Sequence, residues 1–172
     1  PGLERNFVYR RDQQTGAWGA SGDYTPGMAN TLENHLSFDV GSVESPLVIS
    51  EVSSANRSYA RCADGQCYDY IELHNTSAQT VDLSGLTLTD DPNDLEKFVF
   101  PEGTVIGGNG YLLIYASGRA AGEGSELHAP FKLSSDGESV LLCDREGRAL
   151  SGVELPALLS DQAYSLDENG EY

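Results

Sequence analysis

Basic side chains are what this sequence has least of. Lys and Arg number 10 in 172 residues, against 27 Asp and Glu, so the formal charge is −17. Only two of the ten bases are lysines, Lys97 and Lys132. A surface this acidic repels phosphate backbones and anionic bilayers, which argues against nucleic acid and anionic membranes as partners. The acid is uneven: residues 1–45 carry a net −3 and residues 46–172 a net −14. Long hydrophobic runs are also missing. The longest, Tyr111 to Ala116, is far short of the ~20 residues that span a bilayer, so no membrane insertion is expected. Helical periodicity is absent too: no long segment repeats apolar residues at i, i+3, i+4 and i+7, and 19 Gly and 7 Pro interrupt the chain. The usual catalytic signatures do not occur: there is no Gly-x-Ser-x-Gly elbow, phosphate loop or His-Glu-x-x-His. The three histidines are His35, His74 and His128, and Gly107–Gly110 reads as a turn opening a strand.

What is present is short strands. With 39% hydrophobic residues the chain is too apolar to be disordered, and 172 residues suit either one large domain or a smaller one with an appendage. Strand patterns fall at Leu47–Val52, Tyr68–Leu73, Thr80–Leu83, Leu86–Thr89, Lys97–Phe100, Gly110–Tyr115, Phe131–Leu133, Val140–Cys143, Val153–Leu155 and Ala163–Leu166. Their spacing, with turn residues between them, predicts an all-β antiparallel sandwich or barrel. Residues 5–18 read as a separate hairpin, Thr25–Asn30 as a turn-rich stop, and 31–46 as a linker with a weak strand candidate at Leu36–Val40. Tyr9 to Trp18 also echoes Tyr164 to Tyr172: strand, polar turn, Gly, aromatic. Such an echo points to tandem repeats, with the end of one preceding the next. The chain begins at Pro1, without Met or an apolar leader, and reads as an excised or processed product.

Cys62 and Cys67 frame the turn Asp64-Gly65. If these two form a type I′ hairpin turn, Cys62 faces Cys67 in a non-hydrogen-bonded pair with Cα atoms ~4.5 Å apart, at the lower edge of disulfide geometry. A Cys62–Cys67 disulfide is therefore expected, and with it export to an oxidising compartment. The rival reading is a half-built metal site, for which two thiolates without a second close pair are incomplete. Cys143 ends an apolar run and reads as a buried strand thiol.

Three segments together carry a family resemblance. Val48-Ile49-Ser50-Glu51-Val52, Asp69-Tyr70-Ile71-Glu72-Leu73-His74-Asn75 and Val81 to Asp90 resemble the core signature of the lamin tail domain. Phe98–Gly103, Gly110–Tyr115 and Phe131–Leu133 with Gly137-Glu138 fit the later part. Tyr9–Trp18 and Thr25–Asn30 resemble the family's closing elements, here standing ahead of the domain. The resemblance implies an immunoglobulin-like antiparallel β-sandwich over 47–172, a linker at 31–46, and the tail hairpin of a preceding repeat in 1–30. It implies structural roles for Glu51, Glu72, Asn75, Asp82, Gly85 and Asp90, and no catalytic residue. Such domains are known from nuclear lamins and from secreted or surface bacterial proteins. The tandem arrangement, the acidity and the expected disulfide resemble the bacterial type.

The residues add their own reasons. Ile71 and Leu73 share one face of a strand and Tyr70 and Glu72 the other. The Asn75 side chain is placed to bond the turn after it, and Gly85 to take a positive φ. The acidic loop Asp90, Asp91, Asp94 and Glu96 is a calcium candidate by its oxygen donors, although the order is not that of an EF-hand; Asp167–Glu171 is a second such loop. Apart from calcium no cofactor is expected. The reading is a non-catalytic module of a secreted or cell-surface multidomain protein, serving protein interaction, spacing or assembly. Its partners would be a protein or surface polymer, neighbouring repeats of the same chain, or a second copy through strand exchange. The alternative is a carbohydrate- or calcium-binding accessory domain of an extracellular enzyme.

Overall fold

The computed structural model describes residues 8–11, 18–21, 45–119, 126–167 and 172, and among these there are strands and no helix. In chain order the strands are β1 (Val8–Arg11), β2 (Trp18–Ser21), β3 (Leu47–Ser53), β4 (Asp69–Asn75), β5 (Val81–Asp82), β6 (Thr87–Thr89), β7 (Phe98–Val99), β8 (Val105–Ile106), β9 (Tyr111–Ala116), β10 (Leu127–Ala129), β11 (Ser139–Cys143), β12 (Ala149–Glu154) and β13 (Tyr164–Ser165). One sheet has the order β10-β9-β4-β3-β13 and the other β12-β11-β6-β7. A short β5-β8 pair and the β1-β2 hairpin form two-stranded sheets of their own. The expected all-β sandwich forms, with one departure from an antiparallel design: β9 and β10 run parallel, Tyr115 opposite His128. A parallel neighbour needs a crossover rather than a hairpin, and residues 117–126 make that connection.

The core lies between the sheets. Ile49, Val52, Ile71, Leu73 and Ile114 from one sheet meet Leu88, Phe98, Val140, Leu142 and Val153 from the other. Strand β3 shows how its sequence keeps facing inward. Leu47 and Ile49 point to the core in alternation, which would put Glu51 there next. The register shifts between Ile49, opposite Leu73, and Glu51, opposite Glu72, so Ser50 is a bulge residue. The bulge turns Glu51 outward and buries Val52. Beyond the short β13, side chains cap the edge of β3. Ser151 Oγ accepts from Ile49 N–H at 3.0 Å, and Tyr172 OH donates to the Ile49 carbonyl. A side chain from the opposite sheet thus satisfies a backbone donor that a sheet edge would leave bare.

Two loops follow the sequence reading closely. Asn75 is fully buried; its amide donates to the carbonyls of Gln79 (2.7 Å), Ile106 (3.2 Å) and Gly107 (3.0 Å), while its oxygen accepts from Ser77 N–H at 3.0 Å. Asp82 accepts from the backbone and hydroxyl of Ser84, and Gly85 has φ 75° with the Arg145 side chain packed against it. Elsewhere the outcome differs. Phe131–Leu133 is not a strand, because the ladder is taken by β10 and ends at Pro130, which has no N–H to donate. Phe131 and Leu133 are buried all the same. The strand candidate Leu36–Val40 lies outside the described residues.

Asn75→Ala removes a donor from the Gln79, Ile106 and Gly107 carbonyls and the acceptor of Ser77 N–H; because Gly107 O keeps Gly110 N–H and Gln79 O keeps Ser77 Oγ, the expected cost in urea unfolding is roughly 1–3 kcal/mol, about that of one orphaned buried group. Glu138 gives a pH-dependent counterpart. Burial pushes its carboxyl up from 4.5 to about 7, although Ser134 N–H donates to it. The native state then holds a proton that the unfolded chain releases, so stability falls as pH rises from 4.5 to about 7. Glu138→Gln retains the acceptor for Ser134, and melting should show a gain of roughly 1–2 kcal/mol at and above neutrality with none at acid pH.

Candidate functional site

The outer face of the five-stranded sheet is where side-chain chemistry collects. On β4, Ile71 and Leu73 face the core and Tyr70 faces outward, yet Tyr70 is only 3% exposed. Segment 54–68 folds over it and makes a second small cluster of Cys62, Tyr70 and Tyr115, flanked by Ala60, Tyr68 and Leu113. Asn56 fixes that segment: its amide donates to the carbonyls of Ala60 and Tyr68, both at 2.7 Å, and its oxygen accepts from Tyr59 and Ala60 N–H, both at 3.1 Å. Asp161 accepts from the backbone of Arg57 (2.7 Å) and Ser58 (2.8 Å), tying the same segment to the C-terminal part of the chain.

The segment ends in the Cys62–Cys67 hairpin, and here the expected turn is wrong by one residue. Gly65 N–H donates to the Cys62 carbonyl at 2.8 Å and Cys62 N–H to Gln66 O at 3.0 Å, while Arg61 bridges to Cys67. The loop is therefore three residues, Ala63-Asp64-Gly65, with Gly65 at φ 80°. Cys62 stands opposite Gln66, the facing cysteine pair does not form, and both thiols are free. The premise of the disulfide is thus corrected by the turn's geometry. Cys143 is free and buried, as its apolar run implied.

Cys62 turns instead toward β10. Its thiol donates to Glu126 Oε2 at 2.9 Å, and the same oxygen accepts from Ala63 N–H at 2.8 Å. His128 Nε2 lies 3.7 Å from Cys62 Sγ, and His128 Nδ1 is 3.0 Å from Ser117 Oγ. Tyr115 stacks on the imidazole with ring centroids 5.5 Å apart, and Tyr68 meets it edge-on at 5.8 Å. At the rim, Arg119 pairs with Asp64 at 2.6 Å and lies over the Tyr68 ring at 4.7 Å. Hydrogen bonds from Gln66 N–H and then Arg119 hold the Asp64 carboxyl down at about 2.

These contacts decide between two chemistries. A cysteine nucleophile needs a lowered pKa. Burial, and then the hydrogen bond to Glu126, push Cys62 up, while Glu126 is pulled down by the donors it accepts from. The thiol therefore stays protonated and its proton points at a carboxylate, away from the imidazole. The donor set is better suited to a cation: Cys62, Glu126 and His128 offer ligand atoms all within 4.8 Å of one another, the only such group of three or more among the described residues.

The loop singled out for calcium behaves differently. Lys97 Nζ lies 2.8 Å from Asp90 Oδ1 and 3.9 Å from Asp91 Oδ2, and Asp91 Oδ1 accepts from Asn93 N–H at 2.9 Å. Asp94 and Glu96 are exposed, and no three of the four carboxylates converge. In the second acidic loop, residues 168–171 lie outside the described residues. Of the other signature residues, Glu51 accepts from Tyr70 OH and Glu72 from Ser50 Oγ at 2.7 Å, which are structural roles.

Glu126, Ser117 and His128 are the residues that sequence reasoning missed. Glu126-Leu127-His128 carries a usable signal, since residues at i and i+2 share a strand face. The approach of Cys62, more than sixty positions away, leaves no such trace. Among known families, the model described as Lamin Tail Domain matches residues 41–156, from ahead of β3 to just past β12. A comparison with curated proteins finds no match.

Exposure orders the three thiols. Brief alkylation at neutral pH followed by peptide mapping should modify half-buried Cys67 first, with Cys62 and Cys143 slow; a chain in which neither Cys62 nor Cys67 reacts until reduced would restore the disulfide.

Proposed function

Since the chain belongs to the lamin tail domain family, we propose that it acts as a non-catalytic interaction and assembly module of a secreted or cell-surface multidomain protein. The family is one of non-enzymatic immunoglobulin-like domains, so the fold itself is the working part. One observation carries the assembly reading. The β1-β2 hairpin forms its own two-stranded sheet, Val8 opposite Ser21 and Arg11 opposite Trp18, and lies beside β12, an edge strand of the four-stranded sheet. An edge strand is a natural acceptor for a neighbouring element.

The echo between the two ends of the chain supports the same reading. Tyr164 in β13 adds to β3 opposite Val52, and Tyr172 returns to stack on Tyr164 with centroids 5.1 Å apart. Tyr172 thus returns to Tyr164, as β2 returns to pair with β1. A hairpin from one repeat resting on the sandwich of the next would join repeats in series, or join two chains by exchange. The net −14 over residues 46–172 supports an exported, soluble scaffold that avoids nucleic acid. The disulfide no longer contributes to that argument.

A second reading has its own observation. Tyr111 is 60% exposed and stacks flat on His74, rings 4.2 Å apart, a platform of the kind that sugar rings use. Loss of binding on a glycan array in Tyr111→Ala would favour it.

Deleting residues 1–30 tests the assembly reading. The shortened chain should melt lower by roughly 3–8 °C, the size of shift that one to two kcal/mol produces in a domain of this length. It should also elute differently in size exclusion, with a synthetic 1–30 peptide restoring both properties. Unchanged melting and elution would sink it.

A further inference from the structure

We propose that Cys62, Glu126 and His128 form a zinc site that staples segment 54–68 to β10. The argument begins with the donors. One thiolate, one imidazole and one carboxylate is a borderline-soft set that suits zinc and is poorly suited to calcium or magnesium, which take oxygen ligands. The spacing agrees. Ligands around tetrahedral zinc, at about 2.0–2.3 Å from the metal, lie about 3.5 Å from one another. Cys62 Sγ and His128 Nε2 are 3.7 Å apart, and all three ligand atoms fall within 4.8 Å. Only the Cys62–Glu126 distance of 2.9 Å must open, because a thiol proton now bridges that pair. Binding replaces this proton with the metal: the S–H bond breaks, the S–Zn bond forms and the proton leaves to solvent. Two anionic ligands then balance the dication, which leaves the half-buried site neutral.

The ligands are also held in place before any metal arrives. Ala63 N–H holds Glu126 Oε2, and Ser117 Oγ lies 3.0 Å from His128 Nδ1, where it can accept from an Nδ1–H and leave the Nε2 lone pair toward Cys62. This is the outer support that metal-bound histidines ordinarily have. Tyr115 and Tyr68 wall the imidazole, and His128 is only 3% exposed. Cys67 stands outside the group, so the described residues supply three ligands and the fourth position is open to water or another donor.

The test uses the whole chain, reduced and stripped of metal with a chelator, then titrated with cobalt and afterwards with zinc. One cobalt per chain should give a thiolate-to-cobalt charge-transfer band, and stoichiometric zinc should bleach it and raise the melting temperature. Cys62→Ser should abolish the band and Cys67→Ser should keep it. Ser117→Ala, which removes the support of His128 together with a long contact to Arg119 N–H, should keep the band and weaken affinity roughly 10–100-fold. Because Cys62→Ser risks the fold of its segment, Glu126→Gln provides an independent check: its carboxamide oxygen still accepts from Ala63, and cobalt affinity should fall while the circular dichroism is unchanged. No band at equimolar cobalt, a band that survives Cys62→Ser, a band lost in Cys67→Ser, or unchanged affinity in Glu126→Gln would each overturn the site.

Discussion

Strand β4 buries its inner face and, at Tyr70, part of its outer face as well, and much of the molecule follows from that. Side chains on a strand alternate, so one face of β4 gives Ile71, Leu73 and Asn75 to the core and the other gives Tyr70, Glu72 and His74 to the outside. An antiparallel sheet ordinarily leaves its outer face to water. Here Tyr70 lies opposite Tyr115 on β9, and the two rings present too much apolar area to stay bare. A cover is therefore needed, and segment 54–68 provides it. Ahead of its hairpin the segment has no regular secondary structure to satisfy its backbone, so the Asn56 side chain does this by taking two carbonyls and two N–H groups at once. Asn75 plays the same role at the other end of β4. Two buried asparagines thus bracket the central strand, one for each loop that must close against it.

The parallel β10 belongs to the same arrangement. Parallel pairing with β9 cannot be made by a tight hairpin, so the chain between β9 and β10 is a crossover connection. The parallel entry sets His128 beside Tyr115 and brings Glu126 up to the cover. The site is therefore built between the sheet edge and the segment that shields it, and not in the sandwich interior. That placement is consistent with a family whose core has only a packing role, because residues on the outer face can vary without disturbing Ile71, Leu73 or Phe98.

The sandwich was legible because its signals are local. The inward faces of β4, β9 and β11 repeat with a period of two, and turn residues stand where the turns form: Gly85 and Gly137 both have positive φ. Asn75 and Asp82 could be assigned because each bonds within a few residues of itself. What could not be read depends on distance or on phase. Strand β10 is three residues long and carries a histidine, so it has little strand signal of its own. Phe131 and Leu133 looked like a strand because they are buried, but burial and ladder pairing are separate properties. The acidic loop at Asp90 is a cation candidate by composition, and composition does not reveal that Lys97, a few residues on, lies against Asp90.

The hairpin at Cys62 shows how small the deciding step is. Asp64-Gly65 is compatible with a two-residue turn or with a three-residue loop closed by glycine in the left-handed region. The first would set Cys62 against Cys67 and favour a disulfide. The second moves the pairing by one residue, and because side chains alternate along a strand, a slip of one sends the two cysteines to opposite faces of the hairpin. The fold takes the second, with Arg61 against Cys67 and Cys62 against Gln66. Tyr115 OH supports this register by donating to the Arg61 carbonyl at 3.1 Å, and Asp64 does so by gathering Gln66 N–H, Tyr68 OH and Arg119 on the outside. Each contact holds the hairpin down on the sheet, and the hairpin lies flat only with Cys62 turned inward. The chemistry open to Cys62 is thus set by packing around it, which directs the thiol away from its neighbour in sequence and onto a carboxylate and an imidazole from the far side of the chain.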